Sequence, residues 1–491
     1  MKLKNYLKKK PKRIIAIVFI LWIVFLGIYH TNKPVPKGLN ASSPAYEYND
    51  EQINFIYDLS YTDSNGEQRY EQEIFDTILK RIANAEKYIL VDMFLFNSWL
   101  GKATKPYRKL SKELTDALIA QKKKHTKIKI DLITDPINTV YGGDTSFELE
   151  RLKNSNINVI VTNLRPLRDS NFIYSTLWRL GPQWLGNSTW TRWIKHPFSK
   201  TQDKVSLRSY LSLLNFKANH RKIFMSDWDD EYTSIIMSAN PHDSSSAHSN
   251  VAVEITGGKL WQALYTSEAA ASAFSGGKLQ STESLQGRNV ISSSTIFTKL
   301  ITEEAIKKEL LDNIQITNKG DTIKIATFYL SNRDIINALI DASNRDVEIN
   351  IILDPNKDAF GYEKNGIPNR QVAHELRKKT SGKIKIRWYA TNGEQFHSKL
   401  TAINSDNKNV VILGSANLTR RNIDNYNLET NVAIYADANT NFIIRVNEYF
   451  SQIWNNNNEN VYTIDYDEYA DTSLYKYLIY RLQEALGLSS F

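Results

Sequence analysis

Residues 127–142 read KIKIDLITDPINTVYG, and residues 346–361 read DVEINIILDPNKDAFG. Each is an Ile-rich apolar run, then Asp-Pro, then a short polar turn that closes on Gly. Such a run reads as a buried strand, and Asp-Pro marks the turn that ends it. Another strand-like run precedes each copy, KYILVDMFLFN at 87–97 and TIKIATFYLSN at 322–332. A helical stretch and a further short strand follow each. This self-similarity predicts a duplicated unit. Strands alternating with helices predict the α/β class, two similar lobes in which a mixed β-sheet is flanked by helices.

The 491 residues are too many for one ordinary domain, and a hydrophobic fraction of 42% excludes a mainly disordered chain. The absence of cysteine excludes disulfides, thiolate nucleophiles and cysteine-bound zinc. Of the formal charge of +9, seven positives lie in residues 1–13, which leaves +2 for the rest. Ile14 to Tyr29 is uncharged and apolar, short for a span but with flanks able to snorkel. The next residues, His30 to Pro34, lack the small side chains of a cleavage site, so an uncleaved anchor is expected. Basic residues before the span place the N-terminus in the cytoplasm and export the body. The expected organisation is a basic start at 1–13, a transmembrane anchor at 14–29 and a linker at 30–49. A first lobe at 50–274, a Ser/Gly/Gln linker at 275–288, a second lobe at 289–455 and a tail at 456–491 follow.

The two copies are not equally long. Asp135 and Asp354 lie 219 residues apart, but His220 and His397 only 177, so the first lobe carries 42 extra residues. They fall at about 165–215, where Trp178, Trp184, Trp190 and Trp193 gather with Phe172, Tyr174 and Phe198. Two readings stand side by side, an extra subdomain with buried aromatics, or a membrane-interface segment and acyl-chain wall. In the tail, Leu474, Leu478, Leu482 and Leu486 share one helical face, expected to pack on a lobe rather than on lipid.

The chemistry is carried by two His-x-Lys pairs, His220 with Lys222 and His397 with Lys399, each opening a strand-like run. Residues two apart on a strand share a face, so each His stands beside its Lys. Ser238-Ala-Asn240 follows the first pair, and Ser415-Ala-Asn417, preceded by Gly414, the second. In-line displacement at phosphorus needs a nucleophile on one side and an acid on the other, and two lobes supply one His to each. Lys222, Lys399, Asn240 and Asn417, with Ser238 and Ser415 in the same turns, are expected to hold the phosphoryl oxygens.

This duplicated H-x-K-x4-D, followed by G-S-x-N, resembles the phospholipase D superfamily over about residues 70 to 455. The stretches NHRKI at 219–223, NVAVEITG at 250–257 and NLETNVAI at 427–434 look most like cardiolipin synthases and related bacterial phosphatidyltransferases. The resemblance implies an active site at the lobe interface and a reaction without metal or cofactor. That reaction would run through a phosphohistidine, with water, an alcohol or phosphatidylglycerol as acceptor. Asp227 fits the motif, whereas Asn404 stands in its place in the second copy. Asn250 replaces the Asp of cardiolipin synthases, while Glu429 keeps the matching position. With each partner assigned to the His of its own lobe, Glu429 keeps His397 charged as the acid, and Asn250 leaves His220 neutral and nucleophilic. His242, Asp243 and His248 form a polar loop whose spacing fits no metal pattern. No H-E-x-x-H, G-x-S-x-G or P-loop is present.

The leading expectation is a membrane-anchored phospholipase D or phosphatidyltransferase acting on the bilayer that holds it. The alternatives are a nuclease with the same site and a catalytically weakened binding member. A nuclease groove needs a surplus of Lys and Arg, which a body at +2 does not supply. The topology makes a prediction: protease added to spheroplasts should digest the body and spare the extreme N-terminus. Recovery of the whole chain intact would overturn export.

Overall fold

The computed structural model describes residues 11–103, 105, 107–280, 296–405 and 409–489. Residues 1–10 and the 281–288 part of the expected linker lie outside them. The first lobe is built on an eight-stranded sheet, ordered Gln68–Gln72, Ile53–Thr62, Asn250–Thr256, Glu231–Met237, Lys222–Trp228, Tyr88–Met93, Lys129–Thr134 and Asn158–Val161. The second follows the same order in Ile296–Thr302, Thr430–Ala436, Asn409–Gly414, Lys399–Asn404, Thr322–Thr327, Glu348–Leu353 and Lys385–Tyr389. In both lobes the run preceding Asp-Pro is a central strand with parallel neighbours, and the His-x-Lys strand is antiparallel to its partners. Ile, Val and Leu on these central strands are buried on both faces, which explains the unbroken apolar runs.

The two sheets face each other across one apolar layer. Ile223, Met225, Val251 and Val253 of the first lobe meet Leu400, Val411, Leu413 and Val432 of the second. The outer faces are covered by helices, Ile74–Asn84 and Leu110–Lys124 on the first sheet, Glu304–Gln315, Arg333–Asn344 and Asn369–Lys379 on the second.

The flanking segments are more integrated than a linker-and-tail description implies. Tyr46–Tyr48, inside the 30–49 stretch, pairs antiparallel with Ile296–Thr302 of the second lobe, and Thr463–Asp465 of the tail pairs with Lys385–Tyr389. Each covers an edge whose backbone groups otherwise lack partners. The tail helix Leu474–Leu486 packs on the second lobe, but through Tyr480 and Glu484 rather than its leucines. Tyr480 donates its hydroxyl to the Ser331 carbonyl, and Glu484 accepts from the Ser331 hydroxyl, so the polar side is drawn inward. Leu474, Leu478 and Leu482 are left exposed.

The apolar N-terminal segment is a helix, Pro11–Asn32, longer than the 14–29 read from the sequence. Its 22 residues rise about 33 Å, enough for a hydrocarbon core of about 30 Å. Apart from Gly27 its surface is largely uncovered. Gly27 lies against the Phe172 ring, leaving no room for a side chain. The insertion at 165–215 is a small subdomain containing the helices Phe172–Leu180 and Leu207–Leu213 and the hairpin Arg192–Ile194 with Val205–Ser206. Trp184, Trp190 and Trp193 are 74%, 89% and 63% exposed, so the reading of simply buried aromatics fails for three of its four tryptophans.

The Asp of the duplicated motif belongs to the scaffold. Asp227 lies at the far end of its strand from His220, roughly 20 Å along the chain. Its carboxylate accepts the backbone N–H groups of Glu86, Lys87 and Tyr88 at 2.9, 3.0 and 2.8 Å, clamping the start of the neighbouring strand. Asn404 takes the equivalent place opposite Thr322 and donates to Thr322 Oγ1 and Asn447 Oδ1. The Asp-to-Asn departure therefore falls on a strand-end contact, away from His397. Asp227→Ala should cost about 3 kcal/mol, because three N–H groups, that of Tyr88 buried and two half-buried, lose their shared acceptor, and Asn404→Ala about 1 kcal/mol. Denaturation of the detergent-solubilised chain measures both. Loss of turnover at unchanged stability would contradict the scaffold role.

Candidate active site

Each histidine is fixed by two backbone hooks. The Asp-Pro turn supplies the first. Asp135 accepts the N–H of Ile137, which closes its own turn, and at 2.7 Å the N–H of Asn219, the residue before His220. Asp354 does the same with Asn356 and, at 2.8 Å, with Phe396 before His397. The opposite lobe supplies the second hook. The N–H of His220 donates to the Leu428 carbonyl at 2.9 Å, and that of His397 to the Ser249 carbonyl at 2.9 Å. The return bonds, Leu428 to Ala218 and Ser249 to Gln395, complete short parallel bridges between lobes.

These bridges exchange the partners. Glu429 follows Leu428, and its carboxylate meets His220 Nδ1 at 2.8 Å. Asn250 follows Ser249, and its Oδ1 meets His397 Nδ1 at 3.2 Å. The same-lobe pairing expected from the sequence is thus corrected: each His is oriented by the other lobe. Ser238 and Ser415 are also reassigned. The Ser238 hydroxyl donates to Asn250 Oδ1 at 3.1 Å and accepts the Val251 N–H, and that of Ser415 donates to Glu429 and accepts the Thr430 N–H. Fully buried and saturated, both serines position the histidine partners rather than touching a phosphoryl group. Asn422, unforeseen in the sequence, donates its amide to the other oxygen of Glu429.

Both histidines line one cavity of about 360 Å³ at the lobe interface, with Asn240, Asn417 and His248. Phe94, Leu213, Phe216, Phe328 and Phe360 make much of its wall apolar. Behind the imidazoles, Lys222 and Lys399 each donate to the carbonyl of their own histidine at 2.7 Å. Burial and a lack of neutralising partners shape the protonation. Burial, only partly offset by Glu429, lowers His220 to about 4. Burial and the charge of Lys399 hold His397 well below its usual value. Burial brings Lys222 down to about 7, and burial with the charge of Lys222 depresses Lys399 strongly. Glu429 is held ionised, burial being outweighed by His220 and Lys222. Two crowded lysines facing one carboxylate form a site that an anion stabilises.

The polar loop after Asn240 divides. His248 enters the cavity, its ring centroid 5.9 Å from that of His397. Its Nδ1 accepts the Gln395 N–H, which assigns the proton to Nε2, and Nε2 is buried with no hydrogen-bond partner among the described residues. His242 and Asp243 instead serve the loop, through the Trp99 carbonyl and Ser111. Among the described residues, no three His, Asp or Glu side chains converge as a metal cluster.

Comparison with known proteins agrees with this geometry. Residues 310–454 match the family described as Cardiolipin synthase, PLD-like domain. No curated protein sequence matches the chain. Among solved structures, phosphatidylserine synthase of Haemophilus influenzae Rd KW20 superposes with a TM-score of 0.54 at 13% identity, covering 95% of this chain and 97% of the other. Polyphosphate kinase of Porphyromonas gingivalis is less similar, with a TM-score of 0.45 at 12% identity over 89% of this chain and 54% of that one. The phospholipase D family member Nuc of Salmonella typhimurium covers 32% of this chain, 95% of its own, at 19% identity and a TM-score of 0.25. The full-length match reports the shared fold, and the family match falls on the lobe that carries His397, Lys399 and Glu429. Residues 310–454 of the second lobe thus match a PLD-like domain, and the chain as a whole shares its two-lobed fold with the phosphatidylserine synthase.

Proposed function

We propose that this protein is a membrane-anchored phosphatidyltransferase or phospholipase D that acts on phospholipids through a phosphohistidine. One observation carries the lipid reading. The same insertion that packs on the apolar helix, through Phe172 at Gly27 and the Asp169 N–H on the His30 carbonyl at 3.0 Å, also gives Phe198 and Leu213 to the wall of the catalytic cavity. An apolar anchor, exposed tryptophans and the reaction cavity are thereby linked through one subdomain. Trp184, Trp190 and Trp193 suit the headgroup level of a bilayer. The name of the matched family and that of the phosphatidylserine synthase point to the same substrate class. Seven basic residues before the apolar run that starts at Ile14 favour a cytoplasmic N-terminus and an exported body.

In the proposed reaction, Nε2 of His220 attacks phosphorus while the bond to the leaving oxygen breaks. Nε2–H of His397 delivers the proton to that oxygen. Water or an alcohol then attacks the phosphohistidine, its proton passes to His397 Nε2, and the P–N bond breaks. Phosphorylation leaves a positive charge on the nucleophile's ring, and Glu429 is placed to stabilise that charge on His220. His220 thus keeps the nucleophilic role, for a reason opposite to the one drawn from same-lobe pairing. His397, backed by a neutral amide, acquires its proton as the phosphodiester anion enters between the lysines. Asn240, Asn417 and the free Nε2–H of His248 surround the equatorial oxygens.

Two predictions test the parts separately. With an activated aryl phosphodiester, His397→Asn should still form the phosphoenzyme and His220→Asn should not. Because attack needs neutral His220, its rate should stay level from about pH 8 down to pH 5 and fall as pH drops through about 4. Label trapped on His397 would reverse the roles. For the substrate, thin-layer chromatography of phosphatidylglycerol incubated with the purified full chain and a chelator should show hydrolysis or headgroup exchange. Changing Trp184, Trp190 and Trp193 together to Ala should lower turnover on vesicles about tenfold and spare the soluble diester. Metal-free cleavage of single-stranded DNA with phospholipid untouched would replace this reading by a nuclease.

A further inference from the structure

A second cavity, of about 180 Å³, adjoins the reaction cavity and shares Tyr141 and Lys217 with it. Arg165, Arg179, Arg208 and Lys217 line it, and Asp169 is the sole carboxylate among its lining residues. That carboxylate is already committed. Arg179 reaches its two oxygens at 2.8 and 2.9 Å, and Lys217 Nζ lies 2.5 Å from Oδ1. Arg208 donates from Nε to the Gln183 carbonyl at 3.3 Å and, like Arg165, has no carboxylate within ion-pair distance among the described residues. Burial and the charge of Arg165 both depress Arg208. Lys33, just past the apolar helix, donates to the Arg165 carbonyl at 3.0 Å and is lowered to about 8 by burial and the charge of Arg179. Four cations therefore line a cavity that holds one spent carboxylate, and Lys33 approaches it through Arg165, where the apolar helix meets the body. Crowding of this kind costs stability unless an anion occupies the space.

Place and chemistry narrow that anion. The helix Phe172–Leu180, which carries Trp178 and Arg179 into the cavity, is the helix on which the apolar segment packs. In a chain anchored by that segment, the cavity lies at the headgroup level, where the abundant anion is the phosphodiester of a phospholipid. Two guanidinium groups free of carboxylates match its oxygens in a planar, bidentate fashion, while Asn163, Gln183 and Asn215 supply polar contacts for a small headgroup. We propose that this cavity binds the phosphodiester of a second, anionic phospholipid, held by Arg165 and Arg208 beside the reaction cavity. The inference rests on the lipid reading above and extends it, since a second lipid held there can serve as acceptor or as a positioning ligand.

The test counts bound lipids without turnover. The full chain carrying His220→Asn and His397→Asn, in neutral detergent, is titrated with phosphatidylglycerol and observed by native mass spectrometry. Two equivalents should bind, and adding Arg165→Gln with Arg208→Gln should weaken one of them about tenfold or more, as loss of charged hydrogen bonds implies. Arg165→Lys with Arg208→Lys should bind more tightly than the Gln pair but less tightly than the arginines, which separates loss of charge from misfolding. Phosphatidylcholine, lacking net charge, should fill the second site poorly. A single equivalent, or a second one indifferent to the Gln pair, would overturn the proposal. Displacement of the second equivalent by sn-glycerol 3-phosphate at lipid-like concentrations would reassign the cavity to a soluble phosphate and overturn the lipid assignment. Turnover by the wild-type chain is read separately, so failure of the proposed reaction and failure of this site are distinguishable.

Discussion

The backbone bonds from His220 to Leu428 and from His397 to Ser249 are the constraint on which the site depends. Each joins a histidine of one lobe to the residue just before the polar partner of the other. With a carbonyl fixing the backbone from across the interface and Glu429 or Asn250 fixing Nδ1, neither imidazole can be oriented by a single lobe. Arg221 reinforces the junction. Alternation along the chain turns it away from His220 and Lys222, and its buried guanidinium meets Glu268 of the first lobe at 3.1 Å and Glu303 of the second at 2.8 Å. Removing one partner of such a buried cluster would leave a charge uncompensated, so the interface is held in a single arrangement.

The same junction explains the charge state of the cavity. Folding buries Lys222 and Lys399 behind His220 and His397, with His248 near the latter and the ionised Glu429 paired with His220. Burial pushes His220, His397, Lys222 and Lys399 toward their neutral forms. In the proposed reaction, an anionic phosphodiester entering this space would favour their charged forms. The proposed reaction therefore couples proton supply to substrate binding, and the two histidines differ in whether a carboxylate or an amide stands behind the ring.

The sequence was an uneven guide to what surrounds this centre. The duplicated Asp-Pro turns were visible as landmarks of a repeat, but their carboxylates turned out to hook Asn219 and Phe396, because a turn that ends one strand lies beside the start of the His-x-Lys one. The motif Asp, by contrast, looked like part of the site and is a clamp on the strand Tyr88–Met93. The leucine stripe of the tail suggested a buried face, yet hydrogen bonds to Ser331 draw Tyr480 and Glu484 inward and turn the leucines out. Period alone cannot choose between two faces when a polar side can be satisfied inside.

What the sequence determined by itself was local: the apolar runs that make central strands, the paired His-x-Lys that put imidazole beside ammonium, the apolar segment before residue 33 and the 42-residue surplus rich in tryptophan. Each follows from neighbours along the chain, from a period of two or an uninterrupted apolar length. Only the tertiary structure decided which histidine receives the carboxylate, that Ser238 and Ser415 orient partners, that His248 faces the cavity, and that three arginines and Lys217 share a cavity with Asp169. Those relations join residues as much as two hundred positions apart. They arise from the packing of two sheets face to face, and chain order carries no record of which side chains that packing brings together.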